Sequence, residues 1–103
     1  MLTIVALASG GGSNLRALLE ACDNPLFPAR VRAVGSDRAA PALEHAEQFS
    51  VPTFVLEPEK FSSRDQWADL LLRSIEFHKP DLVVLAGFMR ILPKAVVDAL
   101  SPK

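Results

Sequence analysis

The stretch Thr3-Ile4-Val5-Ala6-Leu7-Ala8-Ser9-Gly10-Gly11-Gly12-Ser13-Asn14 decides how the rest of the chain is read. Thr3 to Leu7 is a short apolar run without alternation, closed by glycines, which suits a strand covered on both faces. From Ser13 the period changes. Leu15, Leu18, Leu19 and Cys22 recur at helical spacing, Ser13 is placed to cap the first amides, and Asn24-Pro25 ends the segment. Between strand and helix, consecutive glycines let the backbone turn tightly and approach a ligand without Cβ obstruction. The free amides and the positive dipole end of the helix point at the same place, so an anion such as phosphate is the natural occupant, with the Ser13 hydroxyl and Asn14 amide as side-chain donors. A glycine turn that merely joins strand to helix is the plainer alternative.

Working outward, Val31 to Gly35 reads as a second strand, and Pro41 stands near the start of a helix carrying Ala42, Leu43, Ala46 and Phe49. Val51 to Leu56 supplies a third strand. Ser62, three residues before Asp65, forms a capping box for what should be the longest helix, with Trp67, Leu70, Leu71, Ser74, Ile75 and His78 on one stripe. Asp81 to Ala86 is the most strand-like segment, β-branched and leucine-rich, closed by Gly87, and is expected to be central in the sheet. Ile91 to Leu100 is expected to be helical, with Pro93 in its first turn and Ser101-Pro102 closing it. Strands alternating with helices predict an α/β fold, a doubly wound parallel sheet of Rossmann-like type in the order 3-2-1-4, with ligands at the strand carboxyl ends. Without repeats, low-complexity tracts or linker-like stretches, residues 1–103 read as belonging to one domain.

Composition bounds the ligand. The chain has 103 residues, 50% of them hydrophobic, which is enough for one core and too little for two. A formal charge of −1 excludes a strong net pull on nucleic acid or an anionic membrane, leaving room for a local site for one small anion. No apolar run approaches the roughly 20 residues of a membrane-spanning helix, and the first residues lack a basic start followed by a cleavage site, so a soluble cytoplasmic protein is expected. Cys22 is the single cysteine, expected to be a packing residue, and no Cys and His cluster suggests a metal. His45 and His78 read as surface or boundary histidines. Asp37 and Asp81 are expected to end or begin elements, and Arg30, Arg32 and Arg38 to offer at most a weakly basic rim.

Two common phosphate motifs fit less well. The dinucleotide pattern would use Gly10, Gly12 and Asp37, but it demands glycine where this chain has Leu15. A P-loop requires a Lys followed by Ser or Thr after its glycines, and none is present.

Three segments together, Ser9 to Leu15, Phe61 to Arg64, and Leu85-Ala86-Gly87-Phe88-Met89-Arg90-Ile91-Leu92, strongly resemble phosphoribosylglycinamide formyltransferase in order and spacing, over essentially the whole chain. The resemblance implies formyl transfer from 10-formyltetrahydrofolate, as cosubstrate, to the amino group of glycinamide ribonucleotide, a step of purine synthesis that needs no metal. It implies that Gly12, Ser13 and Asn14 hold the ribonucleotide phosphate, that Arg64 belongs to the folate site, and that Met89, Arg90, Ile91 and Leu92 line the pterin pocket. Residue chemistry alone favours reading Phe88, Met89, Ile91 and Leu92 as an ordinary core junction, and Arg64 as a solvated residue of a first helical turn. Gly11, where the family often has Asn, and Pro93, directly after Leu92, depart from its pattern.

Family members are longer, and their catalytic Asn and His, in an Asn-x-His-Pro segment, are expected just beyond Lys103, with a catalytic Asp further on. This chain is therefore expected to be the N-terminal, substrate-binding part of a formyltransferase domain, with no catalytic residue of its own and inactive alone. An exposed sheet edge beside Asp81 to Ala86 is expected to favour association of copies. The alternatives are another folate-dependent formyl enzyme, or a noncatalytic nucleotide-binding or regulatory module of the same fold.

Overall fold

The computed structural model describes residues 2–88 and Val96. In chain order they form β1 (Leu2–Ala8), α1 (Ser13–Asp23), β2 (Ala29–Ser36), α2 (Pro41–Gln48), β3 (Thr53–Val55), a 3-10 turn (Pro58–Lys60), α3 (Arg64–Phe77) and β4 (Leu82–Leu85). The strands make one sheet in the order β3-β2-β1-β4, and each neighbouring pair is parallel. This is the expected α/β arrangement and strand order.

The sheet is covered on both sides because β1 is apolar at consecutive positions, and consecutive strand residues face opposite ways. Ala6 and Ala8 join Leu15 and Leu19 of α1 and Ala42 and Ala46 of α2 in one buried cluster. Val5 and Leu7 join Trp67, Leu71 and Ile75 of α3 in another. Trp67 is the largest fully buried side chain, and its indole Nε1–H donates to the Leu56 carbonyl at 2.8 Å. Its polar atom is thus paired, and truncation to alanine would cost about 3–5 kcal/mol through the cavity left behind. Cys22 packs with Ile4 and Ala29. Burial pushes its thiol up, against a smaller opposing effect of Arg30, as suits a packing residue.

Four local expectations are corrected. Ser13 is the first helical residue of α1, and Gly12 takes the cap position without a side-chain hydrogen bond. The cap of α3 is Ser63, whose Oγ accepts from Gln66 N at 3.1 Å, while Gln66 Oε1 accepts from Ser62 N at 3.2 Å. The box is therefore shifted by one residue, and the longer Gln66 side chain replaces Asp65 as the group that reaches back. The inner face of α3 takes in Ala68, and Leu70 is left 40% exposed. The third strand shortens to Thr53–Val55, because the Val51 amide turns back to Ala46 O at 2.9 Å and Pro52 has no N–H to donate.

β4 stands at the edge of the sheet among the described residues, as the expected order 3-2-1-4 has it. Leu82 and Leu85 remain 49% and 51% exposed. An unalternating apolar run reports that two faces want cover. It carries no information on whether both edges find a hydrogen-bonding neighbour. Asp81 does begin the strand as expected, accepting from Thr3 N at 2.9 Å and donating its own N–H to Thr3 O at 2.8 Å. The bonds that Thr3 N and Thr3 Oγ1 donate to this carboxylate, at 2.9 Å and 3.1 Å, hold it below the usual carboxylate range, the backbone bond being the larger cause and the side-chain bond the next. Of the helix expected from Ile91 to Leu100, Val96 is helical and buried; the rest lies outside the described residues.

Candidate functional site

A parallel sheet in this order has its switch point between β1 and β4: from β1 the chain moves off to β2 on one side, while β4 lies on the other. The crevice beyond the carboxyl ends of such a pair is where ligands of open α/β sheets bind. β1 and β4 leave the sheet together, with Leu7 beside Leu85 and Ala86 N donating to Leu7 O at 2.8 Å. Their exits form a cleft of about 210 Å³ lined by Gly10, Gly11, Gly12, Ser13, Asn14, Ala86 and Gly87.

The loop side is built from backbone. Gly12 has φ 82°, in the left-handed region, and its carbonyl accepts from Arg16 N at 2.8 Å, starting α1. A Cβ at Gly12 would stand 2.8 Å from both Cα and Cβ of Ala42, so only glycine fits beneath α2. Among the described residues, a Cβ at Gly10 or Gly11 would meet nothing within 4 Å. The first turn of α1 contains no acidic residue, so no carboxylate of that turn opposes an anion at the dipole's positive end. Ser13 and Asn14 are exposed in that turn.

The expected site residues thus divide. Gly12, Ser13 and Asn14 come together in the cleft. Arg64 is outside its lining; it is the first residue of α3, with its guanidinium carbon 5.8 Å from the centroid of the Trp67 ring. Met89, Arg90, Ile91 and Leu92 lie outside the described residues. Ahead of them, Phe88 packs against the α3-side core with Trp67, Leu71 and Ile75.

The expected arginine rim reduces to Arg38. Its Nε donates to Ser9 O at 2.8 Å, whereas Arg30 is turned to the carbonyls of Phe27 and Ala29, at the amino end of β2. Arg32 lies within β2, short of its carboxyl end. Residue patterning missed His45, whose Nε2 is 3.1 Å from Gly11 O. Its spacing of one helical turn from Ala42 was the available signal, but nothing in sequence announces that this face of α2 meets the loop. Leu15 is fully buried, occupying the position where a dinucleotide loop needs glycine for close packing. Among the described residues, no group of three or more His, Cys, Asp or Glu is arranged to hold a metal, and no helix is long and apolar enough to cross a membrane.

Comparison with known proteins agrees with this geometry. The family model described as "Formyl transferase" matches residues 2–103. The phosphoribosylglycinamide formyltransferase of Escherichia coli (strain K12) is 45% identical over 98 residues, covering 94% of this chain and 46% of its own length. That of Mycobacterium tuberculosis (strain CDC 1551 / Oshkosh) is 51% identical over 89 residues, covering 86% of this chain and 41% of its own. The solved phosphoribosylglycinamide formyltransferase of Coxiella burnetii superimposes with a TM-score of 0.91 at 44% identity, over 97% of this chain and 47% of that one. The chain spans less than half the length of each of these relatives. A family match across the described sheet and loop, together with the cleft at the switch point, identifies the chain as belonging to the formyl transferase family.

Proposed function

We propose that this chain supplies the substrate-holding part of a cytoplasmic phosphoribosylglycinamide formyltransferase, which moves a formyl group from 10-formyltetrahydrofolate to glycinamide ribonucleotide in purine biosynthesis. The observation that carries the reading is the single cleft shared by the glycine loop and the β4 exit. Gly12, Ser13 and Asn14 hold the phosphate through the amides and first side chains of α1. Arg64, Met89, Arg90, Ile91 and Leu92 serve the folate cosubstrate. A volume of about 210 Å³ is below the roughly 300 Å³ at which whole-ligand pockets begin, so it suits one phosphorylated end of a substrate.

In the reaction, the ribonucleotide's amine nitrogen forms a bond to the formyl carbon, the bond from that carbon to the folate nitrogen breaks, and the amine proton passes to the folate nitrogen. The tetrahedral oxyanion and the proton transfer require positioned donors and a general base. None of the residues assigned to binding has that task, so residues 1–103 form the binding part and catalytic groups belong to the remainder of a family-length enzyme. The 103-residue polypeptide is expected to show no formyl transfer, and its apolar β4 edge to associate with a further strand or another copy.

Calorimetry with glycinamide ribonucleotide and, separately, a 10-formyltetrahydrofolate analogue tests the assignment. Ser13→Ala and Asn14→Ala are each expected to weaken ribonucleotide binding about tenfold, as loss of a charge-assisted hydrogen bond does, while analogue affinity holds. Equal losses for both ligands, or none for the ribonucleotide, would remove the phosphate assignment. Family-level turnover by the 103-residue polypeptide would remove the division between binding and catalysis.

A further inference from the structure

Three successive carbonyls of the glycine loop are held from the β2–α2 side. Ser9 O accepts from Arg38 Nε at 2.8 Å, Gly10 O accepts from Ala42 N at 3.1 Å, and Gly11 O lies 3.1 Å from His45 Nε2. None of these three partners lines the cleft. A trans peptide points its N–H opposite to its C=O, and the described chain has no cis peptide. Holding the carbonyls of Ser9, Gly10 and Gly11 on the far side therefore turns the amides of Gly10, Gly11 and Gly12 away from α2. The same contacts withdraw three partial negative charges from the space an anion would occupy.

We infer that His45 is a positioning residue of this cleft: its ring N–H fixes the Gly11 carbonyl and so aims the Gly12 amide at the anion. The inference rests on the proposal that the loop holds the substrate phosphate, and it adds what sets the loop's shape. A carbonyl can only accept, so the proton sits on Nε2. Nδ1 is buried without a hydrogen-bond partner among the described residues. The ring also packs against the loop, with Cδ2 3.1 Å from where a Gly12 Cβ would be. Glycines have no side chains to hold them, and an unheld glycine peptide is free to rotate and present its carbonyl to the ligand. Ala42 braces the loop through its backbone, and Arg38 acts one peptide earlier. His45 is thus the side chain that governs the peptide next to α1.

The experiment compares the wild-type chain with His45→Ala, His45→Gln and His45→Phe. Gln can return an N–H to the Nε2 position, whereas Phe fills the volume without a donor. In the ligand-free protein, the 15N order parameter of the Gly12 amide is expected to fall from about 0.85 to below about 0.6 in the Ala and Phe variants and to recover in Gln. Affinity for glycinamide ribonucleotide is expected to fall about tenfold in Ala and Phe, to recover in Gln, and to leave a 10-formyltetrahydrofolate analogue unaffected. Nitrogen shifts of the wild-type ring should report the Nε2–H tautomer. An Ala or Phe variant with wild-type loop order would overturn the inference, as would a Phe variant that restores what Gln does not. If the wild type fails to bind the ribonucleotide, the phosphate reading falls, and loop order alone decides whether His45 sets the peptide.

Discussion

Gly12 and Gly87 line one cleft with nearly the same φ, 82° and 79°, yet their surroundings differ. Beneath Gly12 lies α2, close enough that a Cβ would collide with the backbone of Ala42 at 2.8 Å. Among the described residues, a Cβ at Gly87 would meet nothing within 4 Å. One wall is therefore pinned by packing and carbonyl contacts, whereas the other follows an edge strand whose Leu82 and Leu85 are half exposed. The same turn chemistry can thus build a rigid shoulder or an open one, and what lies behind the glycine makes the difference.

The largest expected effect that could break this contrast is Gly12→Ala. Left-handed strain and displacement of α2 together are expected to cost roughly 2–5 kcal/mol, read by urea denaturation, and to weaken binding of a phosphorylated ligand. A loss below the cost of backbone strain alone would show that α2 yields and the shoulder is soft. Approaching the contact from the other side, Ala42→Val adds volume at a fully buried position and is expected to destabilise by about 1–3 kcal/mol. Thermal melting checks it, and an unchanged midpoint would speak against tight packing on the loop.

Gly87→Ala should lose only the conformational freedom of glycine, about 1–2 kcal/mol. A larger loss in the same denaturation series would mean that the open shoulder is covered as well. The smallest effect comes from Asp81, which ties β4 to β1 at the end of the strand far from the cleft. Its folded carboxyl titrates below the ordinary value of 3.8, chiefly through the Thr3 backbone bond. Its contribution is therefore fully present above that value and lost as pH falls through the lower folded one. An acid titration followed by carboxyl shifts should give a midpoint below 3.8, and Asp81→Asn should flatten the accompanying loss of β4 amide protection. A midpoint above 3.8 would contradict the Thr3 tie.

Much of the fold was legible because periodicity is a local property. The change from the unbroken run Thr3 to Leu7 to the helical spacing of Leu15, Leu19 and Cys22 marked β1, the loop and α1, and the alternation of strands with helices led to the parallel order β3-β2-β1-β4. Capping was less legible. Ser62 and Ser63 are adjacent residues of the same chemistry, and the choice between them depends on where the chain turns into α3.

By itself, the sequence determined the doubly wound class, the glycine loop between β1 and α1 and, through three segments in family order, the likeness to a formyl transferase. Tertiary structure decided what depends on contacts between distant positions. It left β4 an edge among the described strands, separated Arg38 from Arg30 and Arg32, and set His45 on a carbonyl 34 residues earlier. Composition and period specify which faces are buried. Which carbonyl meets which ring is fixed only when the sheet brings α2 against the loop, and a surface-type histidine then becomes part of the cleft's support.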